Sequence, residues 1–174
     1  YYFNLAQDKE LIFTPIANYG GGVDSSQRFN FDYDQILSGG NFSSNLTFDS
    51  NFEKENNNKW LTDASLITNY SQNLNDKYKI SLESALQTSQ NYIQITEPDN
   101  ELSYKTSLSS KLHLQGYNIY KFDDYFDSYI NYYQSNQKTE DNKTIPIVLP
   151  SINYYSGEVV YYGNTASNNY EFYN

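Results

Sequence analysis

No cysteine occurs in the 174 residues, which excludes a disulfide scaffold and thiol chemistry. There is no initiator methionine, and Tyr1-Tyr2-Phe3-Asn4-Leu5 has neither the basic region nor the small-residue cleavage site of a signal peptide. The chain is therefore expected to be a mature portion or an excised segment of a protein. No run of about 18 apolar residues is present, so no transmembrane helix is expected. A membrane-spanning barrel stays open, because bonds between strands satisfy its backbone in lipid. Positive charge is scarce. There are 11 Lys and Arg against 21 Asp and Glu, a net charge of -10, and Arg28 is the single arginine. No basic stripe is available for nucleic acid.

Aromatic residues are abundant instead. The chain has 20 Tyr and 10 Phe, yet its mean hydropathy is -0.77. A soluble core usually takes its apolar area from aliphatic side chains. A transmembrane barrel needs only every second residue apolar, and it places aromatics at both interfaces. By composition alone a barrel and a Tyr-rich extracellular β-sandwich stand level.

Alternation then points to strands. Phe29, Phe31 and Tyr33 alternate with Asn30, Asp32 and Asp34, which is strict period two. Ser38-Gly39-Gly40 is a turn signal, and Phe42, Ser44, Leu46 and Phe48 then share a face opposite Asn41, Ser43, Asn45, Thr47 and Asp49. Asn51 to Lys59 is charged and aperiodic, an exposed loop. A strand opening at Trp60 runs to about Tyr70, and Asn73 to Asp76 is a turn. Tyr78, Ile80, Leu82 and Leu86 face away from Lys79, Ser81, Glu83 and Gln87. Glu97-Pro98-Asp99-Asn100 is a turn, and a strand is expected from Tyr104 to Leu114, with Tyr104, Thr106, Leu108, Ser110, Leu112 and Leu114 on one face. Gly116 marks a break. The aromatics of Ile119 to Tyr133 suit an interfacial girdle on a strand pair turning near Asp123-Asp124, and Gln134 to Lys143 is a polar loop. Pro146 and Pro150 argue against a regular central strand and favour a turn or bulge at a rim. Ser151 to Tyr155 and Val159 to Tyr162 are two further strands, with a turn at Gly163-Asn164. Eight to ten strands in hairpin order follow, as an all-β, antiparallel up-and-down assembly without a long helix.

Chemistry-bearing constellations are weak. Asp123, Asp124 and Asp127 lack calcium-loop spacing and read as a solvated turn. His113 stands alone on a polar face, with no zinc set or Ser-His-Asp set around it. Asp32 and Asp34 share a strand face, but nothing separates an acid from a base there. The Asn-x-Ser/Thr tripeptides at Asn41, Asn45, Asn69 and Asn142 are expected by chance in an Asn-rich chain. No enzyme activity, cofactor or metal is expected.

Tyr1 to Ile16 has an aromatic pair, Asn-Leu-Ala, a short polar turn and a strand reaching Thr-Pro. It resembles the opening of the barrel in the LPS-assembly protein LptD family, also called the organic solvent tolerance protein family. The resemblance continues in order through Tyr19 to Gly40, Asn41 to Asp49 and, loosely, Leu86 to Tyr92. Lys111 to Tyr155, with Ile145-Pro146-Ile147-Val148-Leu149-Pro150-Ser151-Ile152-Asn153-Tyr154, looks closest to the alphaproteobacterial branch. This resemblance implies a cell outer membrane location and a transmembrane β-barrel of about 26 strands. Residues 1–174 would be the N-terminal portion of that barrel domain, incomplete by themselves. It further implies export of lipopolysaccharide, delivered by periplasmic bridge proteins through a jelly-roll domain absent from this chain. The lipid would leave sideways into the lipid bilayer through a lateral gate, with an LptE-like lipoprotein plug in the lumen. Tyr1, Tyr2, Phe3 and Leu5 match the first gate strand and Pro15 the gate proline. The polar, lumen-facing candidates are Asn30, Asp32, Asn45, Ser107, Lys111 and His113. A small porin-like barrel, complete in this chain, and a soluble extracellular β-sandwich adhesin are the competing expectations.

Overall fold

The computed structural model describes residues 1–19, 25–53, 59–90, 92–120, 123–136, 148–161 and 164–172. Residues 54–58 of the expected loop, 137–143 of the second loop, the 145–147 stretch with Pro146, and Gly163 lie outside them, as does Asn142. Ten strands form one antiparallel sheet in sequence order. They are β1 (Tyr2–Ala6), β2 (Lys9–Tyr19), β3 (Ser25–Leu37), β4 (Gly40–Glu53), β5 (Lys59–Asn73), β6 (Tyr78–Gln87), β7 (Ser107–Tyr117), β8 (Tyr125–Ser135), β9 (Val148–Tyr161) and β10 (Asn164–Phe172). A short helix α1 (Tyr92–Thr96) and a 3-10 turn η1 (Glu101–Tyr104) lie between β6 and β7. Every neighbour is a hairpin partner, the meander that the alternating sequence predicts. No described helix is long and apolar enough to cross a membrane. Among the described residues β1 and β10 do not pair, so the sheet has two open edges.

Register sorts the side chains. Phe29, Phe31 and Tyr33 of β3 pair with Phe48, Leu46 and Ser44 of β4, and these continue into Ala64, Leu66 and Thr68 of β5. Leu82 meets Leu112, Leu112 meets Ile130, and Ser128 meets Ile152. This face is aliphatic and aromatic. Across β1 to β4 the rings of Tyr1, Phe13, Phe29 and Phe48 stack at centroid spacings of 6.1, 6.0 and 6.2 Å. The opposite face carries Arg28–Asp49, Asn30–Thr47, Asp32–Asn45, Asn69–Glu83, Glu83–Lys111 and His113–Tyr129 as register pairs. Because side chains alternate at period two, the unslipped register from β2 to β8 keeps the two chemistries apart.

The connections differ between the two ends of the sheet. At one end they are residues 7–8, 38–39, 74–77, 118–124 and 162–163; at the other they are 20–24, 54–58, 88–106 and 136–147. The two longest connections, 88–106 and 136–147, are both at the second rim, while 118–124 at the first rim is longer than 20–24 and 54–58 at the second. Gly39, at φ +84°, makes the left-handed corner of the β3–β4 turn. Asn75 Oδ1 accepts the N–H groups of Lys77 and Tyr78 and so shapes the β5–β6 turn. Gly40 is required for a different reason. A Cβ there would stand 2.0 Å from the Ser71 carbonyl oxygen, so β4 and β5 could not keep their register. Gly40→Ala is expected to lower stability by about 1–3 kcal/mol through this overpacking, measured by denaturant titration. An unchanged midpoint would contradict the close approach.

Five expectations need correction. Of the expected 51–59 loop, residues 51–53 end β4 and Lys59 opens β5, because the β4–β5 ladder runs on to Glu53–Lys59. Tyr104 is the last residue of η1, and β7 begins at Ser107, so Tyr104 and Thr106 are not on the strand face. Asn100 caps η1 by accepting the Leu102 N–H at 3.0 Å, which favours a turn over an extended start. Gln134 and Ser135 finish β8 rather than opening a loop, and Ser135 and Asn136 are fully buried. Ser151–Tyr155 and Val159–Tyr161 belong to one strand, β9. Pro150 sits where the β8–β9 register slips between Tyr129–Ser151 and Asn131–Val148, the bulge that its missing N–H favours. Finally, the aromatics of β8 are not one girdle. Tyr125 and Tyr129 turn to the polar face while Phe126 pairs with Tyr154 on the apolar one, because period two divides any continuous run.

Candidate functional site

The six lumen candidates all lie on the polar face. Asp32 accepts from Asn45 Nδ2 and from Asn30 Nδ2, and Asn45 Nδ2 also donates to Asn30 Oδ1 at 3.0 Å. His113 Nε2 bonds Asp127, which also accepts from the Tyr125 hydroxyl at 2.7 Å. Lys111 Nζ stands 4.7 Å from the centre of the Tyr129 ring. Ser107 begins β7 opposite Ser135. The register does bring a serine, a histidine and an aspartate together, since Ser81 faces His113. Among the described residues no bond joins Ser81 to the imidazole, and Tyr125 competes for the aspartate. His113, Asp127 and Tyr125 thus form a hydrogen-bonded group on the polar face. Asp124 is spent on its turn, accepting from the N–H groups of Ile119 and Tyr120 and from the Tyr154 hydroxyl.

The gate candidates lie at an open edge. Every residue of β1 is exposed, and β1 meets β2 through a short, irregular ladder that slips between Asn4 and Ala6 around Leu5. Phe13 exchanges both backbone bonds with Tyr1, at 2.7 and 2.6 Å. Two residues on, the Pro15 nitrogen faces that same edge, so its missing N–H costs no bond to β3. Tyr2 lies on the polar face with its hydroxyl 2.9 Å from Glu10, while Phe3 pairs with Leu11 on the apolar face.

Sequence reasoning missed the third part, the segment between β6 and β7. It folds over the polar face. Arg28 Nη1 donates to the Thr96 carbonyl at 3.2 Å, and Thr47 Oγ1 lies 3.1 Å from Glu97 Oε1. Gln87 Oε1 accepts the Ile93 N–H at 3.0 Å, and Asn136 Nδ2 donates to the carbonyls of Leu102 and Lys105 at 2.9 and 3.0 Å. Beneath it Ala85, Ile93 and Leu108 form a small buried cluster against Ile67 and Leu102. Leu108 thus leaves the apolar face to which its parity would assign it. It can do so because the β6–β7 ladder stops at Glu83–Lys111. The Gln134 amide takes up freed backbone groups, accepting the Gln87 N–H at 2.9 Å and donating to its carbonyl at 2.6 Å. Burial pushes the Tyr92 phenol up from its ordinary pKa, and the Asp49 carboxylate adds to the shift. The signal available in the sequence was Gln87 and Asn136, polar residues next to strand ends, but neither type is diagnostic.

No family model, curated protein or solved structure matches the chain.

Proposed function

We propose that this chain is a stretch of the wall of an outer-membrane β-barrel that exports lipopolysaccharide. The observation that carries the barrel reading is the broad apolar face, which the described residues leave without a covering layer, opposite a hydrogen-bonded, charged face. Leu46, Leu112, Ile130 and Ile152 are each at least 39% exposed there. In water that surface would need a second sheet, and all ten strands belong to the first. In lipid it is the ordinary outer surface of a barrel, with the polar face toward the lumen.

The narrower assignment rests on the ordered resemblance to the LptD family from Tyr1 to Ile16 and on through Tyr155. A gate needs a seam that separates at small cost. The slip around Leu5 and the donor-free Pro15, whose nitrogen faces away from β3, suit that role. In this proposal the lipid bilayer meets the apolar face, a lipoprotein plug faces the lumen, and a jelly-roll domain elsewhere in the protein receives lipid from the periplasmic bridge. Depleting the full-length gene product should strip lipopolysaccharide from the cell surface. Unchanged surface levels would overturn the export assignment and leave the barrel reading to be judged by its lipid contacts.

A further inference from the structure

We propose that Tyr1, Tyr33, Tyr70 and Tyr154 mark one edge of the bilayer on the apolar face, their rings among the lipid tails and their hydroxyls at the headgroups. The inference deepens the barrel reading above and rests on it.

Three of the hydroxyls are held the same way. Tyr33 Oη donates to Gln35 Oε1 at 3.0 Å, Tyr70 Oη to Gln72 Oε1 at 2.5 Å, and Tyr154 Oη to Asp124 Oδ2 at 3.1 Å. Gln35 and Gln72 lie two residues nearer the rim of the 38–39 and 74–77 turns, and Asp124 is in the 118–124 connection of that same rim. A ring on an apolar surface with its hydroxyl held toward the polar end suits a membrane–water boundary.

The four positions also fall on a straight line. Tyr1 exchanges backbone bonds with Phe13, which pairs with Phe31, two residues farther from this rim than Tyr33. Tyr70 pairs with Phe42 and Phe42 with Gln35, two residues nearer the rim than Tyr33. Tyr70 also pairs with Leu82, while the row of Tyr154, through Phe126 and Gly116, reaches Tyr78, four residues nearer the rim than Leu82. From β1 to β3, β5 and β9 the tyrosine thus advances by one residue per strand. At about 3.3 Å per residue and about 4.8 Å between strands, the slope is about 35°. Strands of transmembrane barrels tilt by about 35–45°, and a line level in the membrane climbs such strands at that rate. Tyr78 and Tyr132, also on this face, fall to the headgroup and the lipid side of the line.

The sense of the slope agrees. Phe13 turns both backbone groups toward Tyr1 while its ring lies on the apolar face. For an L-residue this fixes the order: seen from the apolar face with this rim uppermost, strand number rises to the right. The tyrosine line then climbs from left to right. Strands leaning to the right, as right-handed twist requires of a barrel seen from outside, keep such a line level. A barrel with the apolar face inward would need the opposite slope.

The test places a nitroxide on single cysteines of the full-length protein in phosphatidylcholine vesicles and reads depth from relaxation by oxygen against a water-soluble nickel chelate. Any cysteine elsewhere would first be replaced by serine, and a heat-dependent gel shift establishes that each variant is folded. Tyr33→Cys, Tyr70→Cys and Tyr154→Cys should share one depth, just below the headgroups. Ile130→Cys stands in the register row of Tyr70, yet should lie about 8 Å deeper, because three tilted strands separate them. If Tyr70→Cys does not fold, its register partner Phe42→Cys takes its place. Unequal depths at the three tyrosine positions, with Tyr70 and Ile130 level, would overturn the line alone. Relaxation by the chelate at every site, Ile130 included, would overturn the barrel reading and the line with it.

Discussion

Leu112→Arg is expected to cost about 2–4 kcal/mol of folded stability in lipid vesicles, the cost of a cation at the bilayer midplane on the outside of a barrel. Leu112 is central in β7 (Ser107–Tyr117), is 43% exposed, and pairs with Leu82 and Ile130 on the apolar face. The position of the loss matters as much as its size. Phe126 lies on the same face, one residue from the start of β8 (Tyr125–Ser135), and Phe126→Arg should cost only about 0–1 kcal/mol. Ser109→Arg, next to Leu112's neighbours but on the polar face, should change stability by no more than about 0.5 kcal/mol. A membrane imposes this gradient along a strand; a protein core does not. Denaturant titration of vesicle-bound protein measures all three. Equal losses at Leu112 and Phe126 would remove the bilayer from the explanation.

Arg28→Ala should have the largest effect on the polar side, about 3–5 kcal/mol. Arg28 is the chain's single arginine, and it places Nε and Nη2 at 3.1 and 2.9 Å from Asp49 Oδ2 while Nη1 holds the Thr96 carbonyl. Asp49 is 5% exposed, and its other oxygen has no partner among the described residues. Truncating the arginine strands that carboxylate, and leaving a buried charge uncompensated is costlier than removing the pair. The double variant Arg28→Ala with Asp49→Asn should therefore recover most of the loss. A single variant within about 0.5 kcal/mol of the parent would show that solvent, not Arg28, satisfies Asp49.

The two-faced sheet was legible in the sequence wherever period two ran unbroken. Residues 29–33 and 42–48 announce β3 and β4 and their faces, and Ser38-Gly39-Gly40 the turn between them. The six lumen candidates follow from that same parity. Parity fails where the ladder fails. Tyr104, Thr106 and Leu108 continue the alternation of Leu112 on paper, yet Asn100 caps a 3-10 turn and Leu108 moves into the cluster with Ala85 and Ile93. That displacement depends on the β6–β7 ladder ending at Glu83, a long-range fact that no local pattern encodes. Asn136 was hidden for a related reason. Its polarity suggests solvent, while its fully buried amide is spent on the carbonyls of Leu102 and Lys105. Pro150 was readable as a bulge, because a residue without an N–H has few other places in a sheet.

The most direct test of the barrel wall is a cysteine scan along β7; residues 1–174 contribute no native cysteine, and any elsewhere in the full-length protein would first be replaced by serine. Single cysteines at Ser109, Ser110, Lys111, Leu112, His113 and Leu114 in the reconstituted full-length protein would be exposed to a charged, water-borne thiol reagent and to a lipid-phase quencher. Alternation is the expected result, with 109, 111 and 113 reacting from water and 110, 112 and 114 quenched from lipid. Uniform reaction from water along the strand would mean that the apolar face does not meet a membrane.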